Sequence, residues 1–229
     1  MTESRDTPRS RRERPAKPAL SRAAIVAAAL DVLNTEGLRK VTMRRLAEEL
    51  DTGPASLYVY VRNTAELHAA VLDELLGTVG PAPADGTWRE RLERVLTAYT
   101  LMLMRHPELA RSALTARPSG PHYLALIETL LGLLDEGGVP PAQAAWGVDL
   151  LLQHATADAA EHAEQTPAEE WDALTRALHG ADPATHPHIA ATAGELLSGH
   201  PEERLSWTAQ ALITGIARTA VSRRPEEQS

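Results

Sequence analysis

Apolar side chains recur at helical spacing as soon as the polar front of the chain is passed. Ile25, Val26, Ala29, Leu30 and Leu33 form one stripe with the three-and-four spacing of a helix. Ser21 stands where an N-cap belongs, Leu20 and Ile25 flank it as a staple, and Gly37 supplies a stop. A second segment repeats the plan. Thr42 is its capping residue, between Val41 and Leu46, and Leu46, Ala47 and Leu50 mark its buried face. "DTGP" then breaks the chain, with Gly53 able to cap and Pro54 suited to a first helical position. The pattern predicts a short third helix to about Tyr60 or Val61. A fourth runs from Asn63 or Thr64 to about Val79, with Leu67, Val71, Leu75 and Leu76 on its apolar side. Helix, tight turn, helix, behind a supporting helix, is the helix-turn-helix plan.

"GPAPADGT" at 80–87 reads as a boundary rich in Pro and Gly. Beyond it the periodicity is helical throughout, in segments 88–106, 108–116, 121–136, 140–164, 167–179, 187–198 and 202–222. No alternating strand and no internal repeat stands out. The expectation is an all-α fold in three parts: a disordered basic arm at 1–19, a small helix-turn-helix domain at 20–63, and a larger helical domain at 64–229. Composition agrees with helices. Hydrophobic residues make up 43% of the chain but aromatics only 3%, with no Phe, so the core rests on Leu, Ala, Val and Ile. There is no Cys, which excludes disulfides and thiolate metal sites. No apolar run reaches 18 residues and the Arg-rich start lacks the apolar segment of a secretory leader. A soluble cytoplasmic protein without a membrane partner is expected.

Charge changes the picture. The formal net charge of −8 argues against a nucleic-acid partner, but its distribution does not. Up to residue 62 there are twelve Lys and Arg against eight Asp and Glu; after it, eleven against twenty-three, together with all nine His. A basic front end suits polyanions. "RSRRERPAK" at 9–17 is either an inert disordered tail or an arm that lies along a DNA groove. Tyr58 and Tyr60, two of only four tyrosines, sit two residues apart. Positions two apart on a helix are separated by about 200°, so both cannot enter one core and at least one faces solvent or a partner.

Residues 21–76 resemble the DNA-binding domain of the tetracycline-repressor (TetR) family of regulators. The carriers are "TMRRLAEEL" and "ASLYVYVRNTAEL", with Leu46, Ala47, Leu50, Leu57, Tyr58, Val61, Asn63 and Leu67 at the family's spacing. The "LY-x-x-V-x-N-x-x-x-L" form is similar to the branch that contains the tetracycline repressor itself. The resemblance implies that Tyr58 and Thr42 contact DNA phosphates, and that Arg44, Pro54, Ala55, Ser56, Val59 and Tyr60 face the major groove or its walls. A phenol hydroxyl can donate to phosphate at any sequence, Arg44 can read guanine bidentately, and Pro54, Ala55 and Val59 offer apolar surface to thymine methyls. Leu57 and Val61 anchor the helix from behind. The alternative for Tyr58 is a half-buried core residue with its hydroxyl at the rim. Two positions depart from the family. Asp51 replaces a frequent turn Gly, a replacement the left-handed conformation tolerates. Thr64 replaces a frequent Lys, leaving a hydroxyl and a helix N-terminus to hold the phosphate, with Arg62 and the arm as compensating charge.

The resemblance also implies a C-terminal domain that dimerises and binds a small molecule. Segments 140–164 and 202–222 are the candidate dimer contacts, the latter through Leu205, Ala209, Leu212, Ile213 and Ile216 with small residues between; core packing within one subunit is the alternative. Candidate ligand-binding residues are the few polar or aromatic groups on apolar segments: His106, Tyr123, Trp146, Gln153 and His154. In the tetracycline repressor a His on the helix matching 140–164 binds the drug's metal; Gln153 or His154 lies near that place here, but the rest of the chelating set has no match, so tetracycline is not expected. "HATADAAEH" puts His154, Asp158, Glu161 and His162 on one helical face, which reads as a solvated acidic face or as metal ligands of a helical-bundle enzyme. It matches neither H-E-x-x-H nor a di-iron motif, and neither a Gly-rich phosphate loop nor a Ser-His-Asp grammar is visible. The expectation is a homodimeric repressor, without cofactor or catalytic metal, released from a palindromic operator in double-stranded DNA by an unidentified small-molecule effector. The rivals are a metal-dependent helical-bundle enzyme and a constitutive DNA-binding module without a ligand.

Overall fold

Most helices begin at a side-chain cap or a proline, and several end at a glycine. The computed structural model describes residues 19–114, 118–162 and 168–222. Among them the regular elements are eleven α-helices and one 3-10 turn, with no strand. The chain divides into two compact units between Arg62 and Asn63. Apart from Ala19, the expected basic arm at 1–19 lies outside the described residues, as do the expected segment ends at 115–116, 163–164 and 167.

The first unit holds α1 (Arg22–Glu36), α2 (Met43–Glu49) and α3 (Pro54–Leu57). Ser21 Oγ accepts the Ala24 N–H at 3.1 Å and caps α1. Gly37, at φ 85°, ends that helix by donating its N–H to the Leu33 carbonyl. Thr42 Oγ1 accepts the Arg45 N–H at 3.2 Å and caps α2. Asp51 takes a left-handed turn at φ 46°, the conformation expected of it. Ile25, Ala29, Val32, Leu46, Leu57 and Val61 are all but sealed from solvent and make the core.

The third helix is shorter than its sequence pattern suggests. α3 is a single turn that stops at Leu57 rather than running to Tyr60 or Val61. Tyr58, Val59, Tyr60 and Val61 are aromatic and β-branched residues that lose side-chain freedom in a helix. The chain turns instead, and the Tyr60 and Val61 N–H groups both reach the Leu57 carbonyl, at 2.9 and 3.0 Å.

The second unit comprises α4 (Thr64–Leu76), α5 (Trp88–Met104), α6 (Pro107–Ala113), α7 (Pro121–Glu136), α8 (Pro141–His162), α9 (Ala168–His179), α10 (Pro187–Leu196) and α11 (Pro201–Arg218). Proline opens α6, α7, α10 and α11, where its missing N–H is no loss. α4 stops at Leu76, short of the expected Val79, where Gly77 caps it. α5 begins with a reciprocal capping box between Thr87 and Glu90. α8 packs on α5, α6, α7 and α11, and α9 pairs with α10. Leu92, Leu103, Leu130, Leu134, Leu151 and Ile213 are nearly solvent-free at the centre. None of the described helices is long and apolar enough to cross a membrane.

Candidate nucleic-acid interface and small-molecule cavity

The tip of the first unit is built by a reversal of burial over five consecutive residues. Leu57 and Val61 are fully buried, whereas Tyr58, Val59 and Tyr60 between them are 52%, 79% and 38% exposed. A buried residue on each side fixes the backbone, and the three between have nowhere to go but outward. Both tyrosines of the pair are therefore exposed rather than part of the core. Pro54, Ala55 and Ser56, in the turn before them, are exposed as well. Thr42 is exposed at the start of α2, and Thr64 at the start of α4 in the second unit.

Arg44 and Arg45 are adjacent and differently placed. Arg45 donates from Nε and Nη2 to Glu36 Oε1 at 3.0 and 2.7 Å, and from Nη1 to Glu49 at 2.8 Å. It ties α2 to the end of α1, and its hydrogen bond holds the Glu36 carboxyl below the usual range. Arg44 leaves 88% of its side chain in solvent and meets only Glu48, one turn on, at 3.3 Å. An exposed i,i+4 pair is worth about 0.3–0.5 kcal/mol, so Arg44 gives it up cheaply for a better acceptor. The tip thus offers two phenols, an N-cap hydroxyl, the Arg44 guanidinium and apolar surface at Pro54, Ala55 and Val59. Those are the groups that bind phosphates, a guanine edge and thymine methyls.

In the second unit, Tyr99 of α5, Tyr123 of α7, and Gln153 and Thr156 of α8 border a cavity of about 340 Å3, with Leu114 and Leu152 on its apolar side. Thr156 Oγ1 donates to the Leu152 carbonyl at 2.7 Å, so the Tyr99 hydroxyl, 2.7 Å away, donates to Thr156. Gln153 donates from Nε2 to Asp149 at 2.7 Å along the rim. Polar groups held in place beside apolar side chains can orient a small molecule, and here the lining is divided about evenly between the two kinds.

Of the five expected ligand residues, Tyr123 and Gln153 meet at this cavity. His106 is half-buried at the start of α6, where burial and the Arg105 charge lower its pKa. Trp146 is 66% exposed and borders a groove between α8 and α11 with Leu150, Leu212 and Gly215. His154 faces a third cavity, of about 520 Å3, with Asp158, Glu161 and Trp171. The His162 side chain is outside what is described, and among the described residues no three His, Asp or Glu converge as metal ligands. Tyr99, Asp149 and Thr156 are cavity residues that the sequence reading missed. The available signal was weak: a Tyr and a Thr on buried helical faces, 57 residues apart, whose polar atoms need one another.

The outward stripe of α11 also differs from expectation. Ala209, Ile213 and Ile216 pack inside the chain, and Leu205 and Leu212 are half-buried. Gly147 lets α11 approach α8 closely: a Cβ there would lie 2.6 Å from Ile216 Cγ2. The stripe left outside is Trp207, Ala211 and Gly215, of which Ala211 and Gly215 border the groove with Trp146 and Leu150 of α8.

Comparison with known proteins follows this division of the chain. The family model for bacterial regulatory proteins of the tetR family matches residues 25–71, and that for the tetracyclin repressor-like C-terminal domain matches residues 80–220. The solved structure of SCO7704, described as a transcription regulator from Streptomyces, is 58% identical with a TM-score of 0.78, over 91% of this chain and 100% of that one. ActR of Streptomyces coelicolor, solved in complex with actinorhodin, is 34% identical with a TM-score of 0.76, over 87% of this chain and 96% of ActR. The HTH-type transcriptional repressor DrrR1 of Streptomyces coeruleorubidus is 31% identical over 163 residues, 70% of this chain. The match spans only 60% of DrrR1's own length. With the C-terminal match alone covering more than half of its residues, and the helix-turn-helix match in front of it, the chain belongs to the tetracycline-repressor (TetR) family of bacterial regulators.

Proposed function

We propose that the chain is a ligand-responsive transcriptional repressor acting in the cytoplasm. As a homodimer it holds a palindromic operator with two heads and lets go when a small molecule fills the Tyr99–Tyr123–Thr156 cavity. The observation that carries this reading is the exposed Tyr58–Val59–Tyr60 tip over buried Leu57 and Val61, in the front part of the chain where Lys and Arg outnumber Asp and Glu. Thr42, Arg44, Pro54, Ala55, Ser56 and Thr64 complete the DNA-facing set. The dimer contact is the exposed face of α8 and α11, where Gly215 has open space around a would-be Cβ and a second copy can approach closely. Two phenols, a threonine hydroxyl and an amide beside Leu114 and Leu152 suit an aromatic effector bearing hydroxyl groups. Actinorhodin, the ligand of ActR, is the first compound to try. Release requires that the effector bind one spacing of the two heads better than the other.

The test is selection of duplexes from a random pool by the purified chain, followed by binding at several fixed salt concentrations. A palindromic consensus with half-sites about one helical turn apart is expected, as is its release by the effector. Retention of no duplex over scrambled DNA at about 150 mM salt would overturn the reading.

A further inference from the structure

Asp73, on α4, is the one carboxylate buried among the described residues, only 5% exposed. No cation pairs with it there. Its partners are backbone donors on another helix: Oδ1 accepts the Tyr123 N–H at 2.9 Å and Oδ2 the His122 N–H at 3.4 Å. These are among the first amides of α7, which have no acceptor inside their own helix. Gly120, at the N-cap position of α7, has no side chain to serve them. A Cβ on Gly120 would overlap the Asp73 carboxylate, so the absent side chain is what lets a carboxylate from α4 take the cap position. The start of the helix dipole and two N–H donors then hold the charge.

Tyr123 belongs to both the cavity and the clamp. Its side chain borders the 340 Å3 cavity, while its amide is held by α4. α4 in turn starts at Thr64, two residues after the first unit ends at Arg62. We propose that the Asp73 carboxylate clamped on the Tyr123 amide is the coupling element between the cavity and the DNA-reading head. Displacement of Tyr123 by a ligand strains or breaks the clamp, and α4 answers. Asp73 touches neither ligand nor DNA; it is a positioning residue. This inference rests on the reading of the chain as an effector-responsive DNA-binding regulator.

Coupling is reciprocal, so DNA must be felt at the cavity just as the effector is felt at the DNA. That allows a test without the effector. Hydrogen exchange is followed in the full chain, free and bound to a duplex obtained by selection, in wild type, Asp73→Ala and the near-isosteric Asp73→Asn. In wild type the duplex changes exchange at the start of α7 by about fivefold or more, the lower end of usual coupling. In Asp73→Ala that DNA-dependent difference falls below about twofold although the head still binds, and Asp73→Asn, which keeps one acceptor, lies between. A clamp with a merely structural role would raise exchange in both states and leave the difference intact. A folded Asp73→Ala, or Asp73→Asn should the alanine variant not fold, that retains the full wild-type difference overturns the inference and leaves the regulator reading standing. So does a wild-type chain that binds its duplex without any change at α7. Failure to select a duplex at all sinks the regulator reading itself, and the inference with it.

Discussion

Tyr58 and Arg44 stand on the same small head and are set up for different tasks. Tyr58 is exposed beside buried Leu57, and its hydroxyl is suited to a phosphate, which every sequence offers. Tyr58→Phe is therefore expected to weaken all duplexes alike, by about 1.5–3 kcal/mol for a lost hydrogen bond to a charged group. Arg44, paired only with Glu48 at 3.3 Å, is suited to a base edge. Arg44→Ala should cost about 1–3 kcal/mol on the selected site and relax preference at one position per half-site. Affinities for a panel of single-base variants separate the two; if neither substitution changes binding, the head has been assigned wrongly. His106 gives a prediction of another kind. Burial, then the Arg105 charge, lower its pKa below the ordinary 6.5. Below that value the unfolded chain takes up a proton that the folded chain refuses, so stability is full above it and declines as pH falls. Melting temperatures measured from pH 7.5 down to 5.5 should fall less steeply in His106→Asn than in wild type, and equal slopes would contradict the assignment.

At the scale of elements, local signals were legible and remote ones were not. Ser21, Thr42 and Gly37 cap helices through groups within four residues, and Asp51 adopts the left-handed turn its side chain tolerates; each could be read in place. The cap of α7 could not, because its acceptor comes from Asp73, about fifty residues earlier. The cavity is half-legible for the same reason. Tyr123 and Gln153 stood out as polar residues on apolar segments, whereas Tyr99 and Thr156 acquire meaning only by facing each other. The length of α3 was overestimated because apolar spacing continues past Leu57 while helix propensity does not. The α8–α11 crossing makes the same point energetically. A Cβ on Gly147 would sit 2.6 Å from the branched, buried Ile216. Overpacking of this kind costs about 1–3 kcal/mol, against roughly 1 kcal/mol gained by replacing a helical Gly. Gly147→Ala should be net destabilising in urea unfolding, and a stabilised variant would show that α11 yields at this crossing.

For the whole molecule, the question is what covers the face that the second unit leaves open. Trp146 and Leu150 are 66% and 45% exposed, and with Leu212 and Gly215 they border one groove between α8 and α11. Large apolar side chains grouped on one face mark an interaction surface. A two-fold axis through it would bring the same residues from each copy together, so one acidic substitution puts two like charges at the contact. Leu150→Glu combined with Gly215→Glu should therefore convert a species of twice the chain mass into one of the chain mass in sedimentation equilibrium. Both positions lie outside the cavity described above, and Gly215 has no atom within 4 Å of its would-be Cβ, so neither substitution meets a side chain it must displace within its own chain. Affinity for the full palindrome should drop to that for a half-site, while half-site affinity stays as it was, because the head is unchanged. An acidic second unit sharpens the contrast: after residue 62 the chain carries eleven Lys and Arg against twenty-three Asp and Glu and repels DNA. Two tethered heads are then needed to offset what one head cannot. A wild-type chain that sediments at a single chain mass, or a doubly acidic variant that stays paired, would remove the dimer and with it the reason for a palindromic site.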